Sequence, residues 1–255
     1  MEKTIMDTHY NPYSLKGKRI LVTGASSGIG QETAIQCSLL GAQVIITGRD
    51  KDRLENTYNS LSGEGHFQYI ADLTSQEELD ALVSSVSELD GVVLCAGKPK
   101  TLPFPFCSRE HFDDVFNINF FSPIELLRLI VKKKKIKKNS SVVFVSSIGG
   151  IRAYGASNSI YGASKAAIDS MMKSCARELA PKKIRVNSVN PGMVETKLIH
   201  AGVITEEQLE KDMKTYPLQR YGRPVDIALG IVFLLSDASS WITGHPLVID
   251  GGKTI

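Results

Sequence analysis

The feature that most constrains this chain is a regular alternation of short apolar runs with helical stretches. Arg19–Thr23 (RILVT), Ala42–Thr47 (AQVIIT), Phe67–Ala71, Gly91–Cys95 (GVVLC), Ser141–Ser146 (SVVFVS), Ile184–Val189 (IRVNSV) and Pro246–Ile249 read as strands. Between them, Ile29–Leu40, Lys51–Leu61, Gln76–Glu88, Phe112–Lys135, the stretch from Tyr161 to Ala180 and Pro224–Leu235 carry apolar residues at three- and four-residue spacing. Strands that are apolar at nearly every position are covered on both faces. The pattern predicts an α/β fold, a doubly wound parallel sheet of about seven strands with helices on both sides. No composition break or linker divides it, so residues 16–255 read as one domain behind a lead-in over 1–15.

The first strand ends in Thr23-Gly24-Ala25-Ser26-Ser27-Gly28-Ile29-Gly30. Glycines between a strand and a helix suit a dinucleotide phosphate. Gly24 permits the tight turn, Gly28 lets a phosphate approach the backbone, and Gly30 lets the helix pack close, while free N–H groups at the helix start face the anion. A glycine turn without a ligand is the plain alternative. At the end of the second strand Gly48 stands where an acid for a ribose 2′-hydroxyl would be expected, and Arg49 follows. An arginine there suits a 2′-phosphate, which predicts NADP(H) over NAD(H); a surface arginine with no role is the plain alternative.

Tyr161 and Lys165 lie four residues apart with small residues between, on one helix face. An ammonium about 4 Å from a phenol can lower its pKa by roughly three units, enough for acid–base work near neutrality. A buried tyrosine beside a surface lysine is the plain alternative.

A net charge of +3 argues against a nucleic-acid partner, and no apolar run is long enough to cross a membrane. Cys37, Cys95, Cys107 and Cys175 show neither pairing nor metal-ligand spacing, as for reduced thiols in the cytoplasm. The first fifteen residues lack the apolar core of a signal peptide. The run Lys132–Lys138 (KKKKIKK) reads as a solvated helix C-terminus.

Taken in order, these segments resemble the short-chain dehydrogenases/reductases, in particular their 3-oxoacyl-thioester reductase-like branch, from about Leu15 to Gly252. The likeness rests on TGASSGIG at 23–30, Ala71-Asp72-Leu73, Asn117-Ile118-Asn119, Ser146-Ser147, Tyr161-x-x-x-Lys165, Pro191-Gly192-Met193-Val194-Glu195-Thr196, and Ile242-Thr243-Gly244 with Asp250-Gly251-Gly252. One departure is Leu94-Cys95-Ala96-Gly97, where the family has two asparagines before Ala-Gly; Cys95 reads as a small core residue. Ser147 and Tyr161 are fourteen residues apart, slightly long for the pattern.

The resemblance implies a Rossmann fold and an NADP(H)-dependent oxidoreductase, with NAD(H) possible and no metal. Tyr161 would be the general acid for ketone reduction, and Lys165 would lower its pKa and hold the nicotinamide ribose. Ser147 would bind the substrate oxygen, and Asn119 would hold a water in a relay to Lys165. Gly24, Ser26, Ser27, Gly28, Ile29, Gly30, Arg49, Asp72, Leu73, Ala96, Gly97, Asn119, Tyr161, Lys165, Pro191, Gly192, Val194 and Thr196 would contact the cofactor, Asp72 near the adenine amino group. Singly, Ser147 and Asn119 could be caps and Asp72 a turn residue. Tyr154, Asn158, Met193, His200 and Tyr216 are candidate substrate walls. A lid is implied over about 193–216, chiefly Lys197–Tyr216. Relatives are commonly tetramers, so Phe112–Lys135 and Tyr161–Ala180 are interface candidates for a homo-oligomer. The rivals are an NAD-dependent secondary-alcohol, sugar or steroid dehydrogenase, and a non-catalytic NADP(H)-binding sensor or scaffold.

Overall fold

In a computed structural model, residues 10–196 and 205–255 are described. The expected sheet forms. Its strands are β1 (Arg19–Thr23), β2 (Gln43–Gly48), β3 (Phe67–Ile70), β4 (Leu89–Leu94), β5 (Ile136–Val145), β6 (Arg185–Pro191) and β7 (Pro246–Ile249). They lie in the order β3-β2-β1-β4-β5-β6-β7, all parallel. The order reverses between β1 and β4, and a ligand crevice belongs at that point, beyond the C-terminal strand ends.

The side-chain alternation of a strand explains the unbroken apolar runs. Leu21, Val92, Leu94, Val142 and Phe144 enter one hydrophobic cluster, with α3 (Gln76–Ser85), α5 (Ser122–Lys132) and α6 (Ser159–Leu179). Ile20, Val22, Val93, Val143 and Val145 point the other way, into a cluster with α1 (Gly28–Leu39), α2 (Lys51–Asn59) and α8 (Pro224–Leu235). Leu15 is fully buried in this second cluster, and its N–H donates to the Leu40 carbonyl at 3.0 Å. The lead-in therefore docks at its end.

Most element ends fall within two residues of the sequence expectation. The stretch read as one helix over Phe112–Lys135 differs. It is α4 (Arg109–Phe116), a π-turn (Asn117–Phe121) and α5, which ends at Lys132. The wider turn draws Asn119 into the interior, 1% exposed. The helix read over Gln76–Glu88 stops at Ser85, because Val86 is already extended.

The lysine run is also different. Only Lys132 is helical, and Ile136–Lys138 opens β5 five residues earlier than read. Lys133 pairs with Asp80, Lys135 donates to the Val86 carbonyl at 2.7 Å, and Lys137 pairs with Asp90 at 2.8 Å. The run thus straps α5 and β5 to the neighbouring α3–β4 connection.

Candidate functional site

Because every strand runs the same way, the segments that follow them gather along one edge. The turn after β1 is held from two sides. Ala25 N–H donates to the Thr47 carbonyl at 3.2 Å, and Thr57 Oγ1 donates to the Ala25 carbonyl at 2.9 Å. Gly24 (φ +64°) and Gly28 (φ +57°) take left-handed conformations that a side chain resists. A Cβ on Gly30 would lie 2.3 Å from the Gly24 carbonyl oxygen, so helix and turn touch through backbone alone. Ser27, the N-cap of α1, makes no side-chain cap bond, and no acid occupies the first turn. Those helix-start N–H groups suit an anion, and a Cβ at Gly28 would crowd the cradle toward Thr196, 3.2 Å from its methyl. The residues present fit a dinucleotide phosphate.

A cleft of about 590 Å³ opens beside this turn, lined by Ser26, Ser27, Gly28 and Thr196. Gln31, Arg53, Asn56 and Glu195 also line it, and sequence reasoning missed them. The adjacency of Gln31 and Glu195 to the named motifs was the available signal. Bare Gly48 leaves room for Ser26, whose Oγ would sit 3.3 Å from a Cβ there. Arg49, next along, is two-thirds exposed and lies 3.7 Å from Asp72 Oδ2. Asp72 Oδ1 accepts from Thr74 N–H at 2.9 Å; this bond, above all, and Arg49 hold its carboxyl below the usual range. Arg49 and Asp72 thus meet at one corner. Leu73 is 4% exposed and belongs to the α3 side of the core, so its side chain does not face the cleft.

The missing asparagines after β4 have a substitute. Thr23 Oγ1 accepts from Cys95 N–H at 2.9 Å and Ala96 N–H at 3.1 Å, and donates to the Val93 carbonyl. Burial pushes the Cys95 thiol up to about 11, as for an inert core residue. A Cβ on Gly97 would lie 3.0 Å from Asn119 Oδ1 and 3.4 Å from Lys165 Nζ, so these two flank its bare face. The Asn119 amide itself accepts from Lys98 N–H at 2.8 Å and donates to the Lys98 carbonyl at 3.0 Å and Ser164 Oγ at 3.1 Å. It clamps the strand exit, and no direct bond joins it to Lys165 among the described residues.

Tyr161 and Lys165 do share a face of α6, with Lys165 Nζ 5.7 Å from the phenol ring centre. Lys165 is buried and donates to the Val145 carbonyl at 2.8 Å. Burial pushes its ammonium down to about 8. Burial also raises the phenol above its ordinary value, and a hydrogen bond with Ser147 only partly opposes this. The expected lowering of the phenol by Lys165 is therefore overridden: desolvation penalises both charged forms. Ser147, just after β5, accepts from Gly149 N–H at 3.1 Å. A short turn over Ile148–Gly150 follows Ser147, and its Gly150 packs on the α6 backbone.

Beyond β6, Val194 is buried and bridges to Gly222, and Gly192 lies against Asp250. Tyr216, expected as a substrate wall, is only 4% exposed; its hydroxyl accepts from Met193 N–H at 3.1 Å inside a small cluster with Leu209 and Tyr221. Tyr154 is exposed, and Asn158 stands at the N-cap position of α6 without a side-chain cap bond. His200 and the first part of the expected lid, 197–204, lie outside the described residues; the second part holds α7 (Glu206–Met213). Among the described residues no three His, Cys, Asp or Glu side chains gather as a metal site, and no helix is long and apolar enough to cross a membrane.

A family model described as enoyl-(acyl carrier protein) reductase matches residues 24–254. The 3-oxoacyl-(acyl-carrier-protein) reductase FabG of Thermotoga maritima is 35% identical over 248 residues, covering 94% of this chain and 99% of the relative. The 7alpha-hydroxysteroid dehydrogenase of Escherichia coli K12 is 32% identical, covering 93% and 94%. A solved structure, the Pseudomonas aeruginosa RhlG/NADP active-site complex, superposes with a TM-score of 0.89 at 29% identity, over 96% of this chain and all of that one.

Proposed function

The chain belongs to the short-chain dehydrogenase/reductase family and is an oxidoreductase acting between a CH–OH group and a carbonyl; we propose that it reduces a ketone, in first place a 3-oxoacyl thioester, with NADPH. The observation that carries this reading is a half-buried phenol kept protonated, beside a serine hydroxyl and one helical turn from a buried ammonium. A protonated phenol is what a reductase needs, since carbonyl reduction consumes a proton.

A nicotinamide dinucleotide, when bound, would supply the hydride. The turn from Gly24 to Gly30 and the start of α1 would hold the dinucleotide's phosphates, and Arg49 would take a 2′-phosphate. Ser147 donates to the substrate oxygen and steadies the developing alkoxide. Tyr161 gives that oxygen its proton. The Lys165 ammonium, fixed by the Val145 carbonyl, stabilises the phenolate left behind and holds the ribose. The 3-oxoacyl thioester is favoured by the FabG relatives; the steroid dehydrogenase relative keeps bulkier ketones as second candidates. One observation favours NAD(H) as a second reading: Asp72 already stands beside Arg49 and competes with a 2′-phosphate for it. The assembly we propose is a homo-oligomer through Phe112–Lys135 and Tyr161–Ala180, acting in the cytoplasm.

Tyr161→Phe tests the assignment. Turnover with NADPH should vanish while NADPH binding stays within a few-fold of the parent protein. Substantial residual turnover rejects the tyrosine as proton donor.

A further inference from the structure

Asp169 has no task in this scheme, yet it is only 3% exposed. A buried carboxylate is costly unless it is paired and hydrogen-bonded. Here Ser188 Oγ donates to Oδ1 at 2.6 Å, while Ser146 Oγ and Asn190 Nδ2 both donate to Oδ2 at 2.8 Å. Ser146 follows the end of β5, Ser188 and Asn190 lie along β6, and two of the three reach further. Ser146 Oγ also lies 3.1 Å from the Lys165 carbonyl, and Asn190 Nδ2 donates to the Ser147 carbonyl at 3.2 Å. Tyr161, Lys165 and Asp169 follow one another at four-residue intervals, on one face of α6.

We propose that Asp169 is a positioning residue: a buried carboxylate that ties the ends of β5 and β6 to α6, fixes the backbone of Ser147 and Lys165, and serves as counter-charge to the Lys165 ammonium. The proposal rests on the reading of Ser147, Tyr161 and Lys165 as the reacting set.

The electrostatics agree with the geometry. Burial, which pushes Lys165 down to about 8, is opposed by Cys95 and by Asp169. The Cys95 thiol, at the end of β4, is itself held up to about 11, so it is neutral where Lys165 titrates. The other groups that face this face of α6 are the Tyr161 phenol, also neutral there, and uncharged partners: Asn119 from the π-turn, Ser146 and the Val145 carbonyl from β5, Ser188 and Asn190 from β6. Among the described residues, Asp169 is the carboxylate that acts on Lys165.

Asp169→Asn keeps the shape and removes the charge; Ser188→Ala removes the hydroxyl that contacts Asp169 and Asn190 and keeps the charge. The Lys165 midpoint is read directly by ¹³C NMR titration of the lysine ε-carbons, assigned with Lys165→Arg, and kcat and KM are followed against pH. Asp169→Asn should lower the Lys165 midpoint by more than ~0.5 pH, roughly a threefold fall in the ammonium-to-amine ratio near that midpoint. Its kcat deficit should deepen as pH rises, with KM little changed. Ser188→Ala should lower Tm and leave the midpoint in place. An unmoved midpoint in Asp169→Asn, with a kcat loss uniform in pH, overturns the proposal. If that variant does not fold, Asp169→Glu displaces the charge and must move the midpoint; a fixed midpoint there is equally fatal. A parent protein with no turnover would remove the functional reading, while the NMR midpoints would still decide the role of Asp169.

Discussion

Replacing Gly30 by alanine sets two effects against each other. Inside a helix, Gly→Ala normally stabilises by about 1 kcal/mol through propensity. Here the new methyl would lie 2.3 Å from the Gly24 carbonyl oxygen and 2.7 Å from its carbon. An ordinary contact needs about 1 Å more. The turn has little room to retreat, since a Cβ on Gly24 would itself meet the Ala96 backbone at 2.9 Å. Overpacking of this kind costs about 1–3 kcal/mol, and more where backbone must move. The net expectation is a loss of about 1–2 kcal/mol, or a Tm lowered by roughly 2–8 °C for a chain of this size. The same displacement moves Ser26–Gly28 relative to α1, so NADPH affinity should fall on the order of a hundredfold. Thermal unfolding and titration calorimetry with NADPH measure both. Gly155→Ala is the control, because a Cβ there meets nothing within 4 Å. If Gly30→Ala raises Tm and leaves Kd unchanged, the close contact between turn and helix is refuted.

Two further perturbations probe the frame. Thr23→Val conserves shape but leaves the Cys95 and Ala96 N–H groups without their acceptor; a loss of about 2 kcal/mol in urea unfolding is expected, and an unchanged midpoint would mean that Thr23 is no substitute for the missing asparagines. Asp226 is held down at about 2, first by its hydrogen bond from Arg220 and then by Arg223. Its folded pKa lies below the unfolded one, so its stabilisation is present above about pH 4 and is lost as pH falls toward 2. With a side chain 24% exposed, solvent screening trims the effect. Asp226→Asn should cost about 1 kcal/mol at pH 7, and the gap to the parent should close below pH 2; a gap independent of pH would refute the ion-pair account.

The strands were legible because the two packed faces demand apolar residues at every position, as Ile20-Leu21-Val22 illustrates. The residues that follow the strands were legible because parallel topology gathers all of them at one edge. The π-turn at Asn117–Phe121 was not, since one extra residue per turn leaves the apolar spacing on either side intact. The opening of β5 was hidden because Lys137 is satisfied by an ion pair with Asp90 of β4, while Lys133 and Lys135 just before it are held by Asp80 of α3 and the Val86 carbonyl, contacts that no local pattern records. The upward push that burial gives the Tyr161 phenol and the downward push it gives the Lys165 ammonium were not legible, because burial cannot be read from spacing. Asp169 could have been found: it continues the Tyr161-Lys165 spacing by one more turn.

The most direct test of the central claim is cofactor oxidation by the purified protein, NADPH beside NADH, with a short 3-oxoacyl thioester as substrate. The account predicts rapid turnover with NADPH, little with NADH, and none in Tyr161→Phe. Turnover that survives in Tyr161→Phe would contradict it.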